Sequence, residues 1–354
     1  MSTMQETLAP LAEFIDDRAA RDLFSGVALV GHDGETVFEH AAGMAHRGHR
    51  VPVTLDTRFQ VASVGKMITA TAALSLVEDG TLELHRPLRS LLPEGLLPAG
   101  VEERHTLHHL LSHTSGLQNY YDDDDDDGDA FMAALERIPA SRARRPHDLL
   151  PLIADLPVTS EVGEYLYSDT NFVIVGLLIE ELTGRSFADV CVERVLEPAG
   201  MTSSGFFDVD LEPPGFGTGY LVTDSPADQW RSNVYGLTAS AMPDGGLTST
   251  AADLARFVHA LRGGRLVPAA TVTDMLTPYA VDGAEGYGYG TEIALDQGTT
   301  VHWGHTGNDP GVTAYLAHFV PQDTTVIVVS NQDRGSWAVI QELLGALDLR
   351  EPRW

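Results

Sequence analysis

Residues 63–80 read SVGKMITATAALSLVEDG. Apolar residues recur at helical spacing from Val64 to Glu78 and meet a stop at Asp79-Gly80, so a helix is expected there. Ser63 then stands at its amino end with Lys66 one turn on, since residues i and i+3 share a helix face. The amine reaches the hydroxyl, and the helix amino terminus adds positive potential at its oxygen. Lys66 is the single lysine, beside 21 arginines. Arginine replaces lysine where charge alone matters, but it cannot release its proton and lacks a compact ammonium. A retained lysine three residues after a serine is a candidate for nucleophilic catalysis; chance retention is the bland alternative. With 19 serines in 354 residues, the spacing alone arises by accident about one time in twenty.

Around this helix the chain alternates clearly. Residues 5–22 place Leu8, Leu11, Ile15 and Ala19 on one helical face. Residues 26–31 and 35–41 read as strands joined at His32-Asp33-Gly34, a hairpin signal. Helical patterns follow at 171–183, 187–196 and 254–261, with capping pairs Ser186/Asp189 and Thr250/Asp253 ahead of the last two. Strands are expected at 290–295, 299–303, 313–319 and 325–329, and a last helix at 337–347. Strands at both ends with helices between imply an α/β (α+β) fold. Its antiparallel sheet is built from both termini and flanked by helices, with a mostly helical insertion. The expected division is 1–62 with 233–354 for the sheet domain and 63–232 for the helical one, the active site between them.

Composition narrows the partners. A net charge of -29 argues against nucleic acid and anionic membrane, which need a basic face. The longest apolar run, 172–179, is far too short to span a bilayer. The amino terminus lacks a basic stretch followed by an apolar core, and Cys191 is alone, so a cytoplasmic protein without disulfides is expected. Cys191 sits in a helix-like stretch and is expected to be buried and inert. The six aspartates 122–127 read as a solvated loop. His105, His108, His109 and His113 cluster without the carboxylate of a metalloprotease helix, so no metal or other cofactor is expected. His113 is expected to hold its loop by hydrogen bonds. No G-x-S-x-G occurs, which counts against an α/β-hydrolase.

Two further motifs join the Ser63-x-x-Lys66 pattern. Tyr167-Ser168-Asp169-Thr170-Asn171 precedes an apolar helix, and Trp303-Gly304-His305-Thr306-Gly307 sits on an expected strand. In order and context the three resemble the active-site elements of the serine β-lactamase and penicillin-recognising superfamily. The variant resembles its branch of class C β-lactamases, DD-peptidases, esterases and D-aminopeptidases. Residues 110–117 (LLSHTSGL), 245–255 (GGLTSTAADLA) and 328–331 (VVSN) resemble further signatures, so the likeness runs from about Gly26 to Asn331.

The resemblance implies a β-lactamase/transpeptidase-like fold and two-step acyl transfer. Ser63 attacks a carbonyl, and either Tyr167, its pKa lowered by Lys66, or Lys66 itself takes the proton. Backbone N–H groups of Ser63 and Asn308 hold the oxyanion, with His305, Thr306 and Gly307 beside the substrate. Asp169 departs from the family's Tyr-x-Asn. An ionised Asp can only accept hydrogen bonds, so it is expected to keep Lys66 protonated and favour Tyr167 as base. The implied activity is hydrolysis of a small ester, amide or peptide by an esterase, D-aminopeptidase or DD-peptidase-like enzyme. The alternatives are an acyltransferase or cyclase with the same acyl-enzyme, or a silent binding protein on this fold. No Lys or Arg lies between Arg265 and Arg334, so His305 is the one source of positive charge expected on that strand.

Overall fold

The computed structural model describes residues 2–93, 95–121, 133–134, 136–138, 140–211, 213–222, 230–236, 238, 240 and 242–349. The aspartate run 122–127 lies outside them. Eight strands form one antiparallel sheet: β1 Gly26–His32, β2 Glu35–Ala42, β3 Ala280–Asp282, β4 Glu285–Tyr287, β5 Glu292–Asp296, β6 Thr299–Asp309, β7 Val312–Phe319 and β8 Thr324–Ser330. Their order across the sheet is β2-β1-β8-β7-β6-β5-β4-β3. The first and last parts of the sequence thus meet at β1 and β8, with Gly26 opposite Ser330 and His32 opposite Thr324. Asp33 and Gly34 join β1 to β2 with φ of 52° and 82°. Both turn residues are left-handed, the backbone that matches the twist of a tight hairpin.

Both faces of the sheet are covered. Ala28, Val30, Val326 and Val328 pack with Leu8, Leu11 and Ile15 of helix α1 (Ser2–Ala20) and with Val339 and Ile340 of helix α6 (Ser336–Ala346). Val27, Leu29, Ile327 and Val329 join a second cluster with the intervening helices. Those include α2 (Gly65–Glu78), α3 (Leu107–Leu111), α4 (Asp169–Thr183) and α5 (Ala251–Arg262). Alternate residues of β8 serve opposite layers, which is why the strand reads as an unbroken apolar run.

Several boundaries differ from the sequence expectation. The helix after Ser63 begins at Gly65, because Ala62–Val64 first make a tighter three-residue turn. Residues 290 and 291 precede β5 rather than opening it. Gly290 has φ +61°, and a Cβ there would lie 2.8 Å from the Lys66 carbonyl oxygen, so the chain turns tightly against α2. Strands β3 and β4 were not read from the sequence; three residues each leave too short a pattern. Thr250 Oγ1 does accept from Asp253 N at 3.1 Å, capping α5. Among the described residues no helix is long and apolar enough to cross a membrane.

Candidate active site

Ser63 lies in the turn that feeds α2. Ala62 before it has φ 45°, a left-handed conformation uncommon outside glycine. Neither the turn nor α2 has a side-chain cap, so the serine oxygen is not spent on backbone N–H groups. Lys66 is wholly buried. Its Nζ donates to Ser63 Oγ at 2.8 Å and to the Asp244 carbonyl oxygen, and it pairs with the Asp169 carboxylate. An ammonium has three N–H bonds, and here each has an acceptor. The Tyr167 hydroxyl reaches Ser63 Oγ from the other side at 3.0 Å.

Asp169 opens α4, whose apolar run packs in the core, and Tyr167 lies half-buried two residues before it. The expected depression of the Tyr167 pKa does not occur. Burial and then the negative charge of Asp169 push it well above 10, so the phenol keeps its proton. Asp169 also accepts from the Tyr121 hydroxyl, and its own N–H donates to Asn119 Oδ1 at 3.0 Å.

Strand β6 closes the site. Gly307 packs so tightly that a Cβ would lie 2.5 Å from Val61 O and 3.1 Å from Ser63 N. Asn308, itself exposed, follows at once on the part of β6 that runs beyond its pairing with β5. His305 faces inward and is buried. Its Nδ1 lies 2.5 Å from Thr306 O and 3.3 Å from Glu292 Oε1, and its Nε2 lies 2.9 Å from the Tyr287 hydroxyl. The arrangement suits a neutral ring that donates from Nδ1 and accepts at Nε2. Burial, aided by Lys66, pushes its pKa down to about 3. His305 therefore supplies no positive charge at neutral pH, contrary to the sequence expectation. Thr306 gives both its N–H and its hydroxyl to Glu292, at 2.9 and 2.8 Å.

The structure thus brings Ser63, Lys66, Tyr167, Asp169, His305 and Gly307 together, with Thr306 and Asn308 on the same strand. Sequence reading missed Asp244, Tyr120 and Tyr287. Tyr120 donates to Asp244 Oδ2 at 2.8 Å, and both residues line the cleft with Ser63, Tyr121, Asp169 and Asp309. The one available signal was position: Tyr120 follows the 110–117 signature, and Asp244 precedes Gly245-Gly246. Burial, then Asp169, raises the Asp244 carboxyl to about 6 and the Asp309 carboxyl to about 8. The histidines of the 105–109 cluster have protein partners: His105 Nε2 meets Ser115 O, His108 meets Tyr289 and His109 meets Thr106. Cys191 is buried, and burial raises its thiol well above the ordinary value.

Residues 11–347 match the Beta-lactamase family. The chain belongs to that family. As a beta-lactamase-family member it is a serine hydrolase, and its relatives span several activities. It is 26% identical over 326 residues to Penicillin-binding protein 4* of Bacillus subtilis, covering 88% of this chain and 68% of that one. It is 28% identical over 335 residues to a D-aminopeptidase of Cereibacter sphaeroides, covering 91% of this chain and 59% of the relative. Among solved structures, a penicillin binding protein from Bacillus halodurans superposes with a TM-score of 0.84 at 31% identity, over 94% of this chain and 98% of that one.

Proposed function

We propose that this chain hydrolyses an ester or amide through an acyl-enzyme on Ser63, and that its substrates are neutral or amine-bearing rather than free acids. One observation carries the reaction: Ser63 Oγ lies within hydrogen-bond reach of both Lys66 Nζ and Tyr167 Oη, at 2.8 and 3.0 Å. Because Tyr167 keeps its proton, Lys66 is the better immediate acceptor. Lys66 first hands one of its protons to Asp169, and Ser63 Oγ then attacks the carbonyl carbon and passes its proton to the lone pair freed on Nζ. The carbonyl oxygen takes the negative charge and rests on the N–H groups of Ser63 and Asn308. The leaving group departs with the Tyr167 proton, which the Lys66–Asp169 pair restores. Water then attacks the Ser63 ester by the same route in reverse, releasing the acid and the serine hydroxyl.

The substrate preference rests on charge. Asp169, Asp244 and Asp309 line the cleft; Lys66 balances Asp169 and Asp309 keeps its proton at neutral pH, so Asp244 supplies the net negative charge, and no arginine lines the cleft among the described residues. Glu292 already occupies both donors of Thr306, and His305 is neutral. Such a cleft repels carboxylates and draws cations. The activity named for the D-aminopeptidase relative fits this preference.

A fluorophosphonate should add one label to Ser63 by mass spectrometry and none to Ser63→Ala. Labelling that persists in the variant, or maps to Ser115, overturns the assignment. The preference is tested with one peptide as free acid and as D-amino-acid amide, at low and high salt. Faster turnover of the free acid, or a kcat/KM for the amide that ignores ionic strength, would sink it.

A further inference from the structure

His113 takes no part in the chemistry above, yet it touches the segment carrying Tyr167 in three ways. Its carbonyl oxygen accepts from Leu166 N at 2.8 Å. Its Nδ1 accepts from Ser168 N at 3.1 Å and from Asn171 Nδ2 at 3.1 Å. Its ring packs on the Tyr167 ring with centroids 4.3 Å apart and planes 33° from parallel. The residues before and after Tyr167 are therefore both tied to one side chain and its backbone, and the phenol lies against the same ring. His113 is fully buried with φ 53°, a conformation that turns ring and carbonyl toward one strand of chain.

We propose that His113 is the positioning residue for Tyr167, acting through Nδ1 as a hydrogen-bond acceptor. Two N–H groups point at Nδ1, so the ring proton sits on Nε2. That nitrogen is buried without a hydrogen-bond partner and lies among aromatic rings, with Tyr287 at 4.6 Å between centroids. An imidazolium would turn the acceptor into a donor facing two donors. Burial, Lys66 and His305 all oppose that charge and keep the pKa well below 6.5. The fold thus leaves one buried nitrogen unpaired to hold the other as an acceptor beside Ser168.

The proposal rests on the reading of Tyr167 as proton donor, and the test separates the two. His113→Phe keeps ring volume and loses the acceptor. His113→Asn loses the ring but offers Oδ1 near the place of Nδ1 and tolerates positive φ. On a chromogenic ester, His113→Phe should lose about 10- to 100-fold in kcat with KM within about threefold, the scale of a misplaced catalytic group. His113→Asn should stay within about fivefold of wild type, the tolerance of a conservative rescue. In a Tyr167→Phe background, His113→Phe should cost almost nothing further, because the group it positions is gone. If the two losses multiply, or a folded His113→Asn is as impaired as His113→Phe, the proposal is overturned while Tyr167 keeps its role. If Tyr167→Phe alone is fully active, the Tyr167 reading falls and takes the proposal with it.

Discussion

Gly307→Ala is the substitution through which the packing of β6 on Ser63 can be measured. The added Cβ would sit 2.5 Å from Val61 O, 3.1 Å from Ala62 Cβ and 3.1 Å from Ser63 N. An ordinary C···O contact is about 3.3 Å, so strand and turn must separate by about 0.8 Å. Neither side is a flexible side-chain end: one is the backbone of β6, the other the strained turn at Ala62. An oxyanion donor at about 2.9 Å would be carried to about 3.7 Å, outside hydrogen-bond range. Loss of one such donor lowers kcat by roughly 100- to 1,000-fold. Overpacking itself costs about 1–3 kcal/mol, a drop in Tm of several degrees for a chain of this size. The assay is steady-state hydrolysis of a chromogenic ester well below the variant's Tm, with kcat and KM resolved. The expected result is a large loss in kcat with little change in KM. A kcat within about threefold of wild type, or a loss confined to KM, would show that β6 does not hold the transition state.

Three further outcomes follow from the same geometry. Lys66→Arg should be almost as inactive as Lys66→Ala, on the order of 100-fold or more in kcat, because a guanidinium cannot accept the Ser63 proton; near-normal turnover would mean charge alone suffices. Tyr167→Phe should lose a comparable factor, more for an amide than for an ester with a good leaving group, since the missing proton is the one the leaving group takes; equal losses on both would point to a different role. Asp309→Asn probes pH. Its carboxyl is raised to about 8 from an ordinary 3.8, so the folded chain keeps a proton that the unfolded chain has released between those values. Stability contributed at this site therefore falls as pH rises through that window, and Asp309→Asn should gain Tm relative to wild type with rising pH, levelling off above about 8. A Tm difference independent of pH would refute the shift.

The parts of the site that were legible from sequence are local. Ser63 and Lys66 are three residues apart across the tight turn that leads into α2, so their meeting is a local matter. Strands β1, β2 and β6 to β8 were legible because strong alternation or continuous apolar runs bound them. The protonation states were not. Tyr167 reads as an activated tyrosine beside a lysine, but its environment also includes Asp169 and a burial that no spacing encodes. His305 reads as a cation until Tyr287, 18 residues away, and the buried Lys66 are placed against it. Asp244 was invisible because its part is played by a backbone carbonyl brought to Lys66 across 178 residues. Charge and proton affinity depend on what the fold packs around a group, which a one-dimensional pattern does not carry.

The single lysine has a use outside the proposed catalysis. A protease that cuts only after lysine has one bond to attack in this chain, between Lys66 and Met67, and both residues are fully buried in α2. The native molecule offers that enzyme no substrate, while every molecule that opens α2 is cut once into two fragments of unequal length. When reclosing outpaces cleavage, the appearance of those fragments counts the open population. Because α2 is buried over Gly65–Leu76 and packs with α4 in the main core cluster, its opening reports loss of that core rather than fraying at an edge. The residue proposed to arm the serine thus doubles as a built-in gauge of global unfolding, readable on a gel without any added probe.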